Sequence, residues 1–253
     1  MKKIRFIILL VSFVLCATNV AAQSVRIYKN DVTTKLDSIV SVSAVGQNIE
    51  IYKDDGTTIS VPYAELDSIV SVKEPVIEFV DLGLSVKWAT CNVGAQTPYE
   101  CGDYFAWGET LPKSSYGQEN SKAHDKNMAD ISGNSAYDAA RANWGAPARI
   151  PTNEEIAELC DRCIWRWILY RNIHGMLITG PNGNSIFLPA AGFCIGSAPF
   201  SIDKQGYYLS STPFDATDKA EDSYYLEFDR MYRYTGNWIR RYLGQPVRPV
   251  CDK

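Results

Sequence analysis

Between residues 173 and 212 the chain alternates short apolar runs with turn residues and carries no helical period. Met176-Leu177-Ile178-Thr179 and Ser185-Ile186-Phe187-Leu188 flank Gly180-Pro181-Asn182-Gly183-Asn184. Asn-Gly between such runs supplies the positive φ angles of a hairpin turn, so the spacing predicts an antiparallel hairpin. Pro189-Ala190-Ala191-Gly192-Phe193 ends the ladder, because proline brings no backbone N–H and the small residues allow close backbone approach. A further strand, Gly206-Tyr207-Tyr208-Leu209-Ser210-Ser211-Thr212, follows a polar loop.

Upstream, the run from Phe79 to Cys91 is strand-like with an interruption at Gly83, and Gly102-Asp103-Tyr104-Phe105-Ala106-Trp107-Gly108 reads as a second, aromatic strand. Residues 111–131 are polar and weakly patterned, which predicts a long surface loop suited to specificity. Residues 135–143 predict a short Ala-rich helix. The clearest helix starts at Thr152, which has the Thr-x-x-Glu spacing of a capping box with Glu155. Ile156, Leu159, Cys160 and Cys163 recur on one face of it and are expected to pack on the sheet. Next, Trp165, Trp167 and Leu169 alternate with Arg166, Ile168 and Tyr170, a two-residue period that predicts a strand with one aromatic face. Tyr224-Tyr225-Leu226-Glu227-Phe228, a turn at Thr235-Gly236-Asn237 and Gln245-Pro246-Val247-Arg248-Pro249-Val250 complete the chain.

The N-terminal part has a different organisation. Basic residues, the apolar run 6–15 and Val20-Ala21-Ala22 before Gln23 have the order of a signal peptide over residues 1–22. The apolar run falls short of the roughly 20 residues of a membrane helix. Leu15 stands before Cys16, where lipid attachment needs a small residue, so simple cleavage after Ala22 is the expectation. Residues 23–75 then hold an internal repeat. Ile27-Tyr28-Lys29-Asn30-Asp31 with Leu36-Asp37-Ser38-Ile39-Val40-Ser41-Val42 recurs as Ile51-Tyr52-Lys53-Asp54-Asp55 with Leu66-Asp67-Ser68-Ile69-Val70-Ser71-Val72. The pattern predicts two small β-hairpins that pair with each other or lean on the larger domain, with a spacer role. Residues 76–253 form that larger domain.

A net charge of −4 with mixed signs along the chain leaves no broad basic surface for nucleic acid. Beyond the leader stand Cys91, Cys101, Cys160, Cys163, Cys194 and Cys251. In an oxidising compartment some are expected to pair, with Cys91–Cys163 and Cys101–Cys251 as candidates among many connectivities.

The larger domain resembles a known family. Val80-Asp81-Leu82-Gly83-Leu84-Ser85-Val86-Lys87-Trp88-Ala89-Thr90-Cys91-Asn92-Val93-Gly94-Ala95, Gly102-Asp103-Tyr104-Phe105-Ala106-Trp107-Gly108-Glu109-Thr110, Arg149-Ile150-Pro151-Thr152, Asn182-Gly183-Asn184-Ser185-Ile186-Phe187-Leu188-Pro189-Ala190-Ala191-Gly192 and Val247-Arg248-Pro249-Val250 resemble, in order, the Fibrobacter succinogenes major paralogous domain. The resemblance covers residues 76–253. It implies an exported or surface protein of the Bacteroidetes, with a C-type-lectin-like α+β fold akin to the formylglycine-generating enzymes: a central antiparallel sheet and two short helices behind the small β-hairpin repeat. It implies no general activity. Leu209 stands where members commonly carry tryptophan, so it reads as packing. The calcium-binding loops of lectins in this fold class are not matched, because Gln245-Pro246-Val247 lacks the acidic ligand and Asn237-Trp238 reverses the usual order. Nothing matches the reactive cysteine pair of the formylglycine-generating enzymes.

Other chemistry is weighed from the residues themselves. Cys160-Asp161-Arg162-Cys163 has redox spacing but falls at the end of its helix, where the dipole disfavours a thiolate. His124 and His174 stand far apart with no paired-ligand spacing, so no metal site and no cofactor are expected. Ser210 or Ser211 with His174 and Asp203 makes a triad on paper only, without a Gly-x-Ser-x-Gly turn. Asp215, Asp218, Glu221 and Asp222 read as a solvated acidic loop before they read as an ion site. The best candidate binding surface is aromatic and basic: Arg230, Tyr232, Arg233, Tyr234, Trp238, Arg240, Arg241 and Tyr242, rings and planar donors suited to sugars or acidic glycans. The expectation is therefore a non-catalytic binding or adhesion module in the periplasm, at the cell surface or outside the cell. Its partner would be a glycan or a surface protein, with no nucleic acid and no membrane span after leader cleavage. A structural component of surface assemblies and an enzyme of the formylglycine-generating type are the alternatives.

Overall fold

The computed structural model describes residues 23–29, 32–66, 68–72, 77–214 and 220–253. The leader expected over 1–22 lies outside these residues, as do Asp215 and Asp218. The chain divides into two compact units, one ending at Glu74 and one beginning at Pro75. No helix among the described residues is long and apolar enough to cross a membrane.

The first unit is a five-stranded antiparallel sheet of β1 (Gln23–Lys29), β2 (Val32–Val45), β3 (Asn48–Lys53), β4 (Thr58–Pro62) and β5 (Ser68–Val72), in the order β4-β3-β2-β1-β5. The repeat is interlocked. The halves of the first copy pair as β1 and β2, but those of the second copy, β3 and β5, pair with β2 and β1 instead of with each other. Ile27 thereby faces Ile69, and Val42 faces Ile51. An isolated two-stranded hairpin is marginal in water, whereas this exchange buries Val25, Ile27, Ile39, Ile49 and Ile51 together. Asp55-Gly56 makes the β3–β4 turn, with Gly56 at φ +81 and the Asp55 carboxylate accepting from Thr57 N at 2.9 Å.

The second unit is built from small antiparallel sheets and, among the described residues, two short α-helices. β6 (Phe79–Asp81) and β7 (Lys87–Ala89) join β17 (Val250–Cys251), so the first and last strands of the unit share one sheet, with Val250 opposite Trp88. α1 (Ala139–Trp144) is capped by Asp138, and α2 (Asn153–Arg162) has the Thr152/Glu155 capping box. β8 (Ile164–Tyr170), β9 (Ile173–Thr179) and β10 (Ser185–Pro189) form the second sheet. β9 and β10 make the expected hairpin, with Ser185 opposite Thr179 and Gly183 at φ +89. β11 (Phe193–Ile195) and β12 (Ala198–Phe200) form a small ribbon. β13 (Gly206–Pro213) pairs with β14 (Asp222–Phe228), whose other edge carries both β15 (Arg233–Tyr234) and β16 (Trp238–Arg240).

One core gathers Trp88, Ile156, Leu159, Met176, Ile178, Leu188, Tyr208 and Phe228. The buried face of α2 therefore packs where its sequence period places it. A second core holds Phe105, Trp107, Ile131, Ile150, Leu209 and Val247. Three expectations change here. The segment 102–108 is not a continuous strand: positive φ at Gly102 and Gly108 bounds it, and Phe105 alone makes a two-way bridge, to Gln245. The polar segment 111–131 is not free surface, since it buries Tyr116, Ala123 and Ile131. In β8, Trp165 and Trp167 face the core but Leu169 is 60% exposed, because the sheet outruns the core at its pairing with His174.

Candidate functional site

The pairing of β14 sorts the aromatic and basic cluster by face. Successive side chains on a strand alternate between faces, and Arg233 lies opposite Phe228 while Tyr234 lies opposite Glu227. Arg233 accordingly turns to the core side, donating from Nε to Cys160 O at 3.1 Å and lying 5.8 Å from the Trp165 ring. Tyr232 and Tyr234 stay on the outer side, 55% and 47% exposed, with ring centroids 5.7 Å apart. Trp238 pairs with Tyr224 and so belongs to the opposite face from Tyr234, stacked on Phe214 at 5.8 Å. Arg240 is tied to Glu221 and Asp222. Arg230 is exposed.

Arg241 leaves the candidate surface altogether. It is 1% exposed, lies 4.1 Å from the Trp107 ring and donates to the Asp222 and Lys126 carbonyls at 2.9 and 2.7 Å. Tyr242 is half-buried with its ring edge-on to His124.

On the outer face the structure adds residues that the sequence pattern did not single out. Phe200 and Phe193 stack at 5.9 Å, Phe193 meets Tyr207 at 4.9 Å, and Tyr207 lies parallel to Tyr225 at 5.7 Å. Glu227 accepts from the hydroxyls of both tyrosines, at 3.2 Å from Tyr207 and 2.7 Å from Tyr225. Burial, with the adjacent Glu227 carboxylate, pushes the Tyr207 phenol up to about 12, so it remains a donor at neutral pH. Because Tyr234 stands opposite Glu227, the band spans five strands, from Phe200 on β12 to Tyr234 on β15, with Tyr232 beside it. The two-residue period within β13 and β14 placed Tyr207, Tyr225 and Glu227 on one face, and was the available signal. Phe193 and Phe200 carried none, because each lies in a three-residue strand too short to show a period.

A second concavity, of about 390 Å³, lies on the β8-β9-β10 sheet and is lined chiefly by Pro98, Ile168, Tyr170, Leu177 and Phe187. Gly175 lets β10 and the Phe187 ring pack close against β9, since a Cβ there would strike the Phe187 ring and the Leu188 carbonyl. It offers few polar groups to orient a ligand.

The paper triad is half assembled. His174 Nδ1 lies 2.9 Å from Asp203 Oδ1, and the ring stacks on Trp167 at 5.6 Å. Ser210 and Ser211 are wholly buried in β13, and the Ser210 hydroxyl accepts from Thr212 N. No contact joins either serine to His174 among the described residues. Gln245, at the position of the unmatched calcium loop, is also wholly buried.

All six cysteines among the described residues are free thiols, so neither Cys91–Cys163 nor Cys101–Cys251 is bridged. Each packs separately. Cys163 sits in the main core, Cys91 follows the end of β7 beside Thr90, Cys251 pairs across the ladder with Lys87, and Cys101 is half-buried with its carbonyl accepting from Asn92 Nδ2. Burial pushes the thiols of Cys160 and Cys163 up to about 12 and 11, and that of Cys194 to about 11. At neutral pH these groups are protonated and poorly nucleophilic.

A scan against protein-family models, a search of curated proteins and a search of solved structures matched nothing to this chain.

Proposed function

We propose that the chain is an exported, non-catalytic binding or adhesion module whose second unit is a C-type-lectin-like domain of the Fibrobacter succinogenes major paralogous kind. Its ligand is a glycan held on the outer face of the β13–β14 sheet. The observation that carries this reading is the aromatic band from Phe200 through Phe193 and Tyr207 to Tyr234 and Tyr232, interrupted only by a carboxylate that fixes two tyrosine hydroxyls. Apolar ring faces suit the C–H faces of pyranose rings, and the half-buried Glu227 and Tyr207, backed by the buried Tyr225, suit sugar hydroxyls. The protonated thiols, and buried serines of which neither meets His174 among the described residues, favour binding over nucleophilic catalysis.

A glycan array with the purified chain tests this. Binding is expected for the wild type, lost in Tyr234→Ala and Phe200→Ala, and retained in Trp238→Ala on the opposite face. A wild type that binds no glycan, or equal loss in all three variants, overturns the reading and favours assembly with surface proteins.

A further inference from the structure

His124 lies in the segment 111–131, its side chain 7% exposed. Neither ring nitrogen has a hydrogen-bond partner among the described residues, and both are sealed from solvent. A neutral imidazole has one donor and one lone pair, and leaving a buried polar group unsatisfied destabilises the fold. Such an orphan calls for an explanation, because buried polar groups in native proteins are nearly always satisfied.

The ring is accompanied by two carboxylates. His124 Nε2 is 3.4 Å from Asp125 Oδ2, and His124, Asp125 and Glu221 each offer one ligand atom within 4.8 Å of the others. We propose that these three residues hold a divalent first-row transition ion, zinc foremost. One imidazole nitrogen with two carboxylate oxygens is a donor set that zinc accepts, whereas calcium wants about six to eight oxygens. Asp125 is 65% exposed, so water has access to complete the coordination. Glu221 already accepts from Arg240 through one oxygen, and its second oxygen can ligate while Arg240 orients the group. The Arg240 charge is shared with Asp222 at 3.3 Å. His124 and Glu221 are far apart in sequence, and β14 and β16 bring Glu221 and Arg240 to the same end of the sheet.

The test uses the full chain stripped with EDTA and titrated with Zn²⁺ by calorimetry, and with Co²⁺ by absorption spectroscopy. One ion per chain is expected, with a Co²⁺ spectrum lacking the near-ultraviolet thiolate charge-transfer band that cysteine ligation would give. His124→Leu and Glu221→Gln should each weaken binding by more than about tenfold, while His174→Ala, altering the other histidine, leaves it unchanged. His124→Leu should melt no lower than the EDTA-treated wild type and gain nothing from Zn²⁺, because it removes the orphaned nitrogens along with the ligand. Should that variant fail to fold, Asp125→Asn serves instead: Asp125 is exposed and adopts φ +60, a conformation asparagine tolerates. No zinc binding by the wild type, unchanged affinity in the ligand variants, or a thiolate band overturns the proposal.

Discussion

Two arginine-bearing regions of the second unit show how differently the same residue type is used. Arg248, in the Val-Arg-Pro-Val run, is 1% exposed and donates to Asn92 Oδ1, Ala89 O, Thr90 O and Phe187 O at 2.8, 3.0, 2.6 and 3.0 Å. Asn92 in turn donates to Cys101 O and to the Tyr208 hydroxyl, which donates to Pro189 O. The motif residues thus knot the end of β7, the end of β10 and the last segment together around one guanidinium. On the β15–β16 edge, Arg240, itself 41% exposed along its side chain, instead pairs with Glu221 and the buried Asp222, and the neighbouring rings face solvent. Motif density marks the knot, whereas exposure marks the proposed binding face, and the two do not coincide.

The sharpest way to break that contrast is Arg248→Met, which leaves three backbone carbonyls, two at the end of β7 and one on β10, without this donor. A loss of about 3–5 kcal/mol is expected by urea denaturation. Arg248→Lys should recover little of it, because a single ammonium cannot reach acceptors spread around a planar fork. A near-neutral Arg248→Met would show that the knot is incidental. Next in size is Asp138, wholly buried, which accepts from Arg141 N at 2.9 Å, Gly133 N at 2.6 Å and Ile150 N at 2.9 Å. Asp138→Ala removes a helix cap and two loop anchors, and about 2–3 kcal/mol of stability should go with it. On the exposed face, Tyr234→Ala should move the unfolding midpoint little, by less than about 1 kcal/mol, even where it abolishes glycan binding. A variant that lost both together would return Tyr234 to the structural class.

The local elements of the second unit were legible in the chain before the structure, whereas the contrast itself was not. The β9–β10 hairpin followed from Asn-Gly between apolar runs, and α2 from its capping box, because both depend on contacts a few residues apart. Arg241 was misplaced for the opposite reason: what buries it is Trp107 and the Lys126 carbonyl, more than a hundred residues upstream. Tyr232, Tyr234 and Trp238 read as one cluster in sequence, and only the register of β14 with two short strands separates their faces. The same remoteness hid His124 from Glu221. In the first unit, the repeat was visible but its exchange of partners was not, since period alone does not say which half-strand pairs with which.

The smallest expected effect concerns His174 and Asp203, the two members of the paper triad that do meet. Asp203 accepts from His174 N at 2.6 Å and from the ring at 2.9 Å, and the backbone bond first, then the ring, holds its carboxyl below the usual 3.8. A carboxyl depressed in the folded state contributes stability above its unfolded value and loses it as pH falls through its folded value. The contribution should therefore be complete at neutral pH and fade below about pH 4. With the Asp203 side chain 48% exposed and the His174 side chain 38%, solvent screening keeps it under about 1 kcal/mol. Urea midpoints of the wild type and Asp203→Asn, compared near neutrality and again near pH 3, should differ in the first condition and converge in the second. Were Asp203→Asn instead to shift the midpoint equally in both, the carboxylate charge would have no part in the contact, and the loop would be held by its backbone bond alone.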